Sequence, residues 1–184
     1  MSSYGYGGKQ LADAFRTVRK NTLQVAEDIP ESKYEFVAAD GVRSVREMLT
    51  HVAISTRFSE AIHKKKLTTL VGFNFLELRD QFEAEEKKSR SKAEIVELLR
   101  SEGDQYAAWL EALTPEFLSE AVTESDGKTV KSRFERLLGP KEHEMHHRAQ
   151  LMLIERQLGI VPHLTRQFAE RVAQLQAQQQ AAKA

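Results

Sequence analysis

The chain contains no cysteine among its 184 residues. That excludes disulfides, thiolate nucleophiles and Cys-based metal sites, so any sulfur chemistry must bring its sulfur from outside. Net charge is missing too, with 27 Lys and Arg against 27 Asp and Glu. Such a balance gives no electrostatic reason to expect nucleic acid or an anionic membrane as the main partner. No apolar run approaches the length of a membrane span, and MSSYGYGGKQ lacks the apolar stretch of a secretory signal. A cytoplasmic location is the resulting expectation. Proline and glycine are scarce, at four and nine residues, which leaves room for long helices.

What remains is 41% hydrophobic and 29% charged, the profile of one globular domain with a real core. The apolar spacing is helical. Leu11, Phe15, Val18, Val25 and Ile29 share one face of a first helix over about residues 9–28. Ser44-Val45-Arg46-Glu47 has the capping-box pattern, in which the serine satisfies an orphan amide and the glutamate reaches back, and it opens a second helix over about 45–64. Ser91-Lys92-Ala93-Glu94 repeats it before a third, about 92–113. Thr114-Pro115 starts a short helical turn, and Ser125-Asp126-Gly127-Lys128 reads as a reverse turn. A fourth long helix covers about 130–158, stopped by Gly159 and Pro162. Gly139-Pro140 should kink that helix or mark its true start. In the 65–90 crossover, GFNFLELRDQF suggests a short extra helix, and QLQAQQQAAKA reads as a frayed helical tail. No strand pattern emerges. The architecture predicted is an all-α four-helix bundle over residues 1–164 with a crossover insertion between helices two and three, followed by a Gln/Ala-rich tail over 165–184.

Six histidines are present. At about 100° per residue, His143, His147, Leu151, Ile154 and Leu158 fall on one side of the fourth helix, so its core stripe opens with two histidines a turn apart. His146 lies off that stripe. On the second helix Met48, His51, Ser55, Phe58 and Ile62 share a face, which points His51 inward beside the small Ser55. Buried imidazoles need partners, and a divalent metal held by His51, His143 and His147 would satisfy all three. Ordinary hydrogen-bonded core histidines are the competing explanation. His63, beside Lys64-Lys65-Lys66, and His163, after Pro162, are expected to be solvated or in a loop. Glu102 sits on the apolar face of helix three. It is either a carboxylate that snorkels to water or a group near the metal, serving as a further ligand or catalytic general base.

His143-Glu144-Met145-His146-His147 also matches the H-E-x-x-H string of zinc proteases. The extended form of that motif fails, because Gln150 and Leu153 stand where it needs Gly and His. With no strand to align a peptide, the protease reading is a minor one.

SVREMLTHVA in the second helix and DGKTVKSRFERLLGPKEHEMHHRAQLMLIERQLGI in the fourth resemble the DinB/YfiT-like superfamily. The resemblance runs from the first helix to Gly159. Carried over position by position, it implies a three-histidine divalent metal site at His51, His143 and His147, one zinc or nickel ion per chain, and in many members a homodimer. Ala149 departs from a glycine common in the family, and Gly139-Pro140 just before the motif is unusual. Some relatives are thiol-dependent transferases and one is a mycothiol-dependent isomerase. The expectation is therefore a metal-dependent transferase using a low-molecular-weight thiol cosubstrate. A metal-dependent hydrolase and a non-catalytic metal-binding bundle are the alternatives. A strip of Met145, Ala149, Met152 and Leu153, facing away from the histidines, is the candidate dimer surface.

Overall fold

The computed structural model describes residues 5–183. Helix α1 runs Gly8–Asp28, and a short 3-10 turn follows at Glu31–Lys33. Helix α2 is Val45–Ile54, α3 Thr56–His63 and α4 Phe75–Glu86. Helix α5 covers Lys92–Glu111 and α6 Pro115–Ser119. Strands β1, Ala121–Thr123, and β2, Val130–Ser132, precede α7, Arg133–Gln157, and α8, His163–Ala181. Helix α1 packs on α5 and α7, and α2 packs on the same two, so α1, α5, α2 and α7 close a ring around the core. This is the expected four-helix bundle, with α3 continuing the α2 rod and α4 lying in the crossover against α2.

Both anticipated capping boxes form, at Ser44/Glu47 and Ser91/Glu94. A third, at Ser132/Glu135, starts α7 a few residues later than expected. Gly159, at φ 78°, ends α7: its amide bonds the Arg156 carbonyl and the Ile160 amide bonds the Glu155 carbonyl, a left-handed stop suited to glycine. Every residue of the α1 stripe is buried. Val25, Ile29, Leu49, Val52, Leu99 and Leu151 belong to one core cluster, and Phe15, Tyr106, Leu110 and Leu137 to a second.

Several sequence expectations are corrected. The second helix is two, because Ser55 turns its hydroxyl back to the Val52 carbonyl at 3.0 Å and the Phe58 amide bonds the Ser55 carbonyl instead of one a residue earlier. Residues 121–132 hold an antiparallel hairpin, pairing Ala121 with Ser132 and Thr123 with Val130. Asp126 and Gly127 form its turn as expected, the Asp126 carboxylate accepting from the Lys128 and Thr129 amides. The hairpin also bonds the crossover: the Leu70 amide donates to the Thr123 carbonyl, 2.8 Å, and the Thr123 amide to the Thr68 carbonyl, 2.9 Å. Leu70, Val122 and Ile62 form a small apolar cluster there, with Phe58, Phe73 and Phe75 against it. Pro140 does not start α7, which is continuous from Arg133. The tail is helical, as expected: α8 runs through it to Ala181, with most of its side chains exposed. Among the described residues no helix is long and apolar enough to cross a membrane.

A candidate three-histidine centre

The core of the bundle is interrupted by an ion pair. Arg19, on the α1 core stripe, donates Nε to Glu144 at 3.0 Å and Nη2 to the same carboxylate at 3.0 Å. Its remaining donors reach the Leu99 carbonyl, 2.6 Å, and the Val52 carbonyl, 3.2 Å. Arg19 is 4% exposed and Glu144 0%. Gly103 makes room: a β-carbon there would come within 2.8 Å of the Arg19 side chain. A mid-helix glycine costs about 1 kcal/mol relative to alanine, and here that cost admits the guanidinium. The pairing weighs against the protease reading. In H-E-x-x-H proteases the glutamate is the general base beside the metal, whereas Glu144 is spent on Arg19, one helix face away from its neighbouring histidines.

Those histidines meet the one on α2. His143 Nε2 lies 3.1 Å from His51 Nε2 and 3.1 Å from His147 Nε2. One ring nitrogen from each of the three falls within 4.8 Å of the others. The helical phase read from sequence thus brings the three chosen residues together, and Gly139-Pro140 does not displace them. His146 is exposed and its Nε2 faces Gln150 at 3.3 Å, outside the group of three.

Outer contacts orient two of the rings. His51 donates from Nδ1 to Glu86 Oε1 at 2.7 Å, and Arg43 donates to Glu86 Oε2 at 2.7 Å. His147 donates from Nδ1 to Gln150 Oε1 at 2.8 Å. With Nδ1 of both rings protonated, each neutral imidazole presents a bare Nε2 to the centre. His143 can donate one proton there, to one ring and not to both. Two ligands on one zinc ion stand roughly 3 Å apart when metal–nitrogen bonds are about 2.0–2.1 Å, so the residues present fit a divalent ion. Burial lowers the His143 ring to about 4, with His147 and His51 adding to the effect. Burial also lowers His147, partly offset by Gln150. Neutral, lone-pair-bearing rings at neutral pH are what ligation requires. Burial pushes the Glu86 carboxyl up, but the His51 and Arg43 hydrogen bonds outweigh it and hold the group below its usual range.

The site opens on a cavity of about 370 Å³ that reaches His51 and His143. Phe58, Ile62, Phe82 and Pro140 give it apolar walls. Gly139, one turn before His143, leaves open the space a side chain would fill, since nothing lies within 4 Å of its β-carbon position. Glu102 does not line this cavity: it makes a two-pronged pair with Arg57, at 3.1 and 2.5 Å. Two histidines depart from expectation. His63 is buried at 2% exposed and lines the cavity, with Arg133 packed against its ring. His163 is buried at the start of α8, facing Asn21 at 3.3 Å. Sequence reasoning also missed Glu86, Gln150, Arg19 and Arg136, the last of which lines the cavity from α7. Arg19 carried a signal, one turn beyond Phe15 on the apolar stripe, and so did His63, in line with Ser55 and Ser59 at four-residue steps.

No curated protein matches the chain. Among solved structures, it is similar to a DinB-like protein of Bacillus subtilis, YjoA, at 22% identity and TM-score 0.60, over 82% of this chain and 92% of that one. It is also similar to YfiT of Bacillus subtilis, described as a probable metal-dependent hydrolase with an unusual four-helix bundle topology. That match has 16% identity and TM-score 0.64, over 87% and 94% of the two chains. At such identities these neighbours speak for the fold. The sequence model of the DinB superfamily matches residues 14–151, a span that takes in most of α1, the capped α2 with His51 and the His143/His147 turn of α7, and by that match the chain belongs to the DinB superfamily.

Proposed function

We propose that His51, His143 and His147 hold one divalent metal ion, zinc or nickel, and that the chain is a metal-dependent enzyme acting on small molecules. The observation that carries this is the convergence of three Nε2 atoms, two of them fixed as lone-pair donors by Glu86 and Gln150. An ion bound by three neutral imidazoles keeps its positive charge and eases proton loss from a coordinated thiol or water. The protein's own part is to hold the rings, through Glu86 and Gln150, and to limit water beside them with Phe58, Ile62 and Phe82.

The reaction favoured is transfer to or from a low-molecular-weight thiol cosubstrate. The chain has no cysteine to supply a sulfur of its own, and the resemblance to thiol-dependent transferases supports the choice. Hydrolysis is the second reading, supported by the description of YfiT as a probable metal-dependent hydrolase. Glu102 has no part in either, since its carboxylate is taken by Arg57. A homodimer completes the proposal. Met145, Ala149 and Leu153 are exposed on α7, while Met152 instead packs against the core.

The test is to load the protein with zinc or nickel and supply a panel of small thiols with monochlorobimane or a chloronitrobenzene. Thiol-dependent turnover that disappears in His51→Ala supports the transferase. Metal-dependent cleavage of esters or amides with no thiol turnover supports the hydrolase, and silence in both assays leaves a metal-binding protein.

A further inference from the structure

We propose that His63 and Arg136 form a carboxylate-recognition site in the cavity that reaches His51 and His143, so that the substrate is a small organic acid with an apolar body. The proposal deepens the reading above and relies on it only for the reacting end of the molecule.

Arg133 is fully buried and donates Nη1 to His63 Nδ1 at 3.3 Å. A guanidinium has no acceptor, so Nδ1 must accept, and the proton of the neutral ring sits on Nε2. Arg133 cannot easily move. Its Nε bonds Glu120 at 2.8 Å, and its guanidinium lies 4.7 Å over the Phe117 ring. Burial, reinforced by Arg133 and Arg136, pushes the His63 ring down to about 4, so the ring is neutral at pH 7. No described residue accepts from its Nε2–H.

Arg136 lines the same cavity from α7. Glu124 takes its Nη1, while no described residue accepts from its Nη2. His63 and Arg136 thus line one cavity with donor capacity to spare, and a ligand oxygen could accept from either. The lining contains one cation and no carboxylate, which favours an anion over a cation. Because Glu124 already offsets part of the Arg136 charge, a monoanion suits the site better than a dianion. A carboxylate supplies two acceptor oxygens at a single charge. The body of the ligand would lie along Phe58, Ile62 and Phe82, and a volume of about 370 Å³ is near the lower end of small-ligand cavities. His51 and His63 stand roughly three helical turns apart along α2 and α3, which suits an elongated molecule with its acid group away from its reacting end.

Calorimetric titration of the full chain, chelator-treated and zinc-loaded, with 4-phenylbutanoate, its amide and 4-phenylbutylamine tests this. The acid is expected to bind at least about tenfold tighter than the amide, and the amine not to bind. Arg136→Gln should weaken the acid by about ten- to a hundredfold and bring it level with the amide. His63→Gln, which keeps a donor, should lose less than His63→Phe. Metal content should be unchanged in all three variants. Equal affinity of acid, amide and amine in the wild-type chain would overturn the proposal whether or not the variants fold. So would binding of none of them, or an acid preference that survives Arg136→Gln. Acid preference in a chain that takes up no metal would uphold this site while refuting the metal reading.

Discussion

Two buried carboxylates on α7 show how the partner decides the role of a residue. Glu144 has Arg19, and its value is structural. Removing one member of a buried pair leaves an uncompensated charge and costs about 3–5 kcal/mol. Glu144→Gln should therefore lower the unfolding free energy by about that amount in a denaturant titration while leaving metal content unchanged. Unaltered stability with lost metal would return Glu144 to the site. Glu155 is also fully buried, but neither of its oxygens has a partner in the protein. Burial raises its carboxyl to about 7, Asp28 adds to the rise, and Arg166 and Arg156 oppose it. The folded state thus favours the protonated acid. Its stabilising contribution is full below the unfolded value near 4.5 and is lost as pH rises through about 7. Glu155→Gln should remove that loss, so its stability relative to the native chain should improve between pH 5 and pH 8 by about 1–3 kcal/mol. A gap that does not change with pH would contradict the assignment.

At the scale of elements, the long helices were legible because their burial repeats every three to four residues. The same phase puts His51, His143 and His147 on inward faces. Elements held by tertiary contacts were not legible. Three-residue strands carry no periodicity, and the hairpin exists because Thr123 bonds Thr68 and Leu70 while Val122 fills an apolar cluster. This hairpin also explains why His63 is buried: Glu120 and Glu124 flank β1 and pair with Arg133, which contacts the ring, and with Arg136, which lines the same cavity. The crossover matters for a similar reason. Helix α4 is mostly exposed, yet its last residue, Glu86, is the carboxylate that orients His51. Outer partners of metal-bound histidines are commonly worth about 10–100-fold in affinity. Glu86→Gln should weaken metal binding by that factor in a chelator competition, with helical circular dichroism unchanged. Affinity equal to that of the native chain would reduce Glu86 to a partner of Arg43.

The whole molecule combines a closed bundle with unpartnered apolar surface. Leu153 on α7 and Phe168 and Leu175 on α8 are exposed, at 59%, 70% and 48%, and α8 touches the bundle mainly through α1. A second copy covering the α7 strip would remove part of this surface from water. Light scattering at micromolar concentration should then give about twice the 20.9 kDa chain mass, and a Leu153→Glu exchange should lower it toward one chain. A native species of 20.9 kDa would count against the dimer. The bundle has a second task, which is to bring α2 and α7 together so that residues 92 positions apart share one centre. The most direct test of that claim is elemental analysis of the purified native protein beside His147→Ala and His146→Ala. The arrangement predicts about one divalent ion per chain in the native protein and in His146→Ala, and none in His147→Ala. A native protein that cannot be loaded with zinc or nickel, or a His146→Ala variant that empties while His147→Ala stays full, would contradict it.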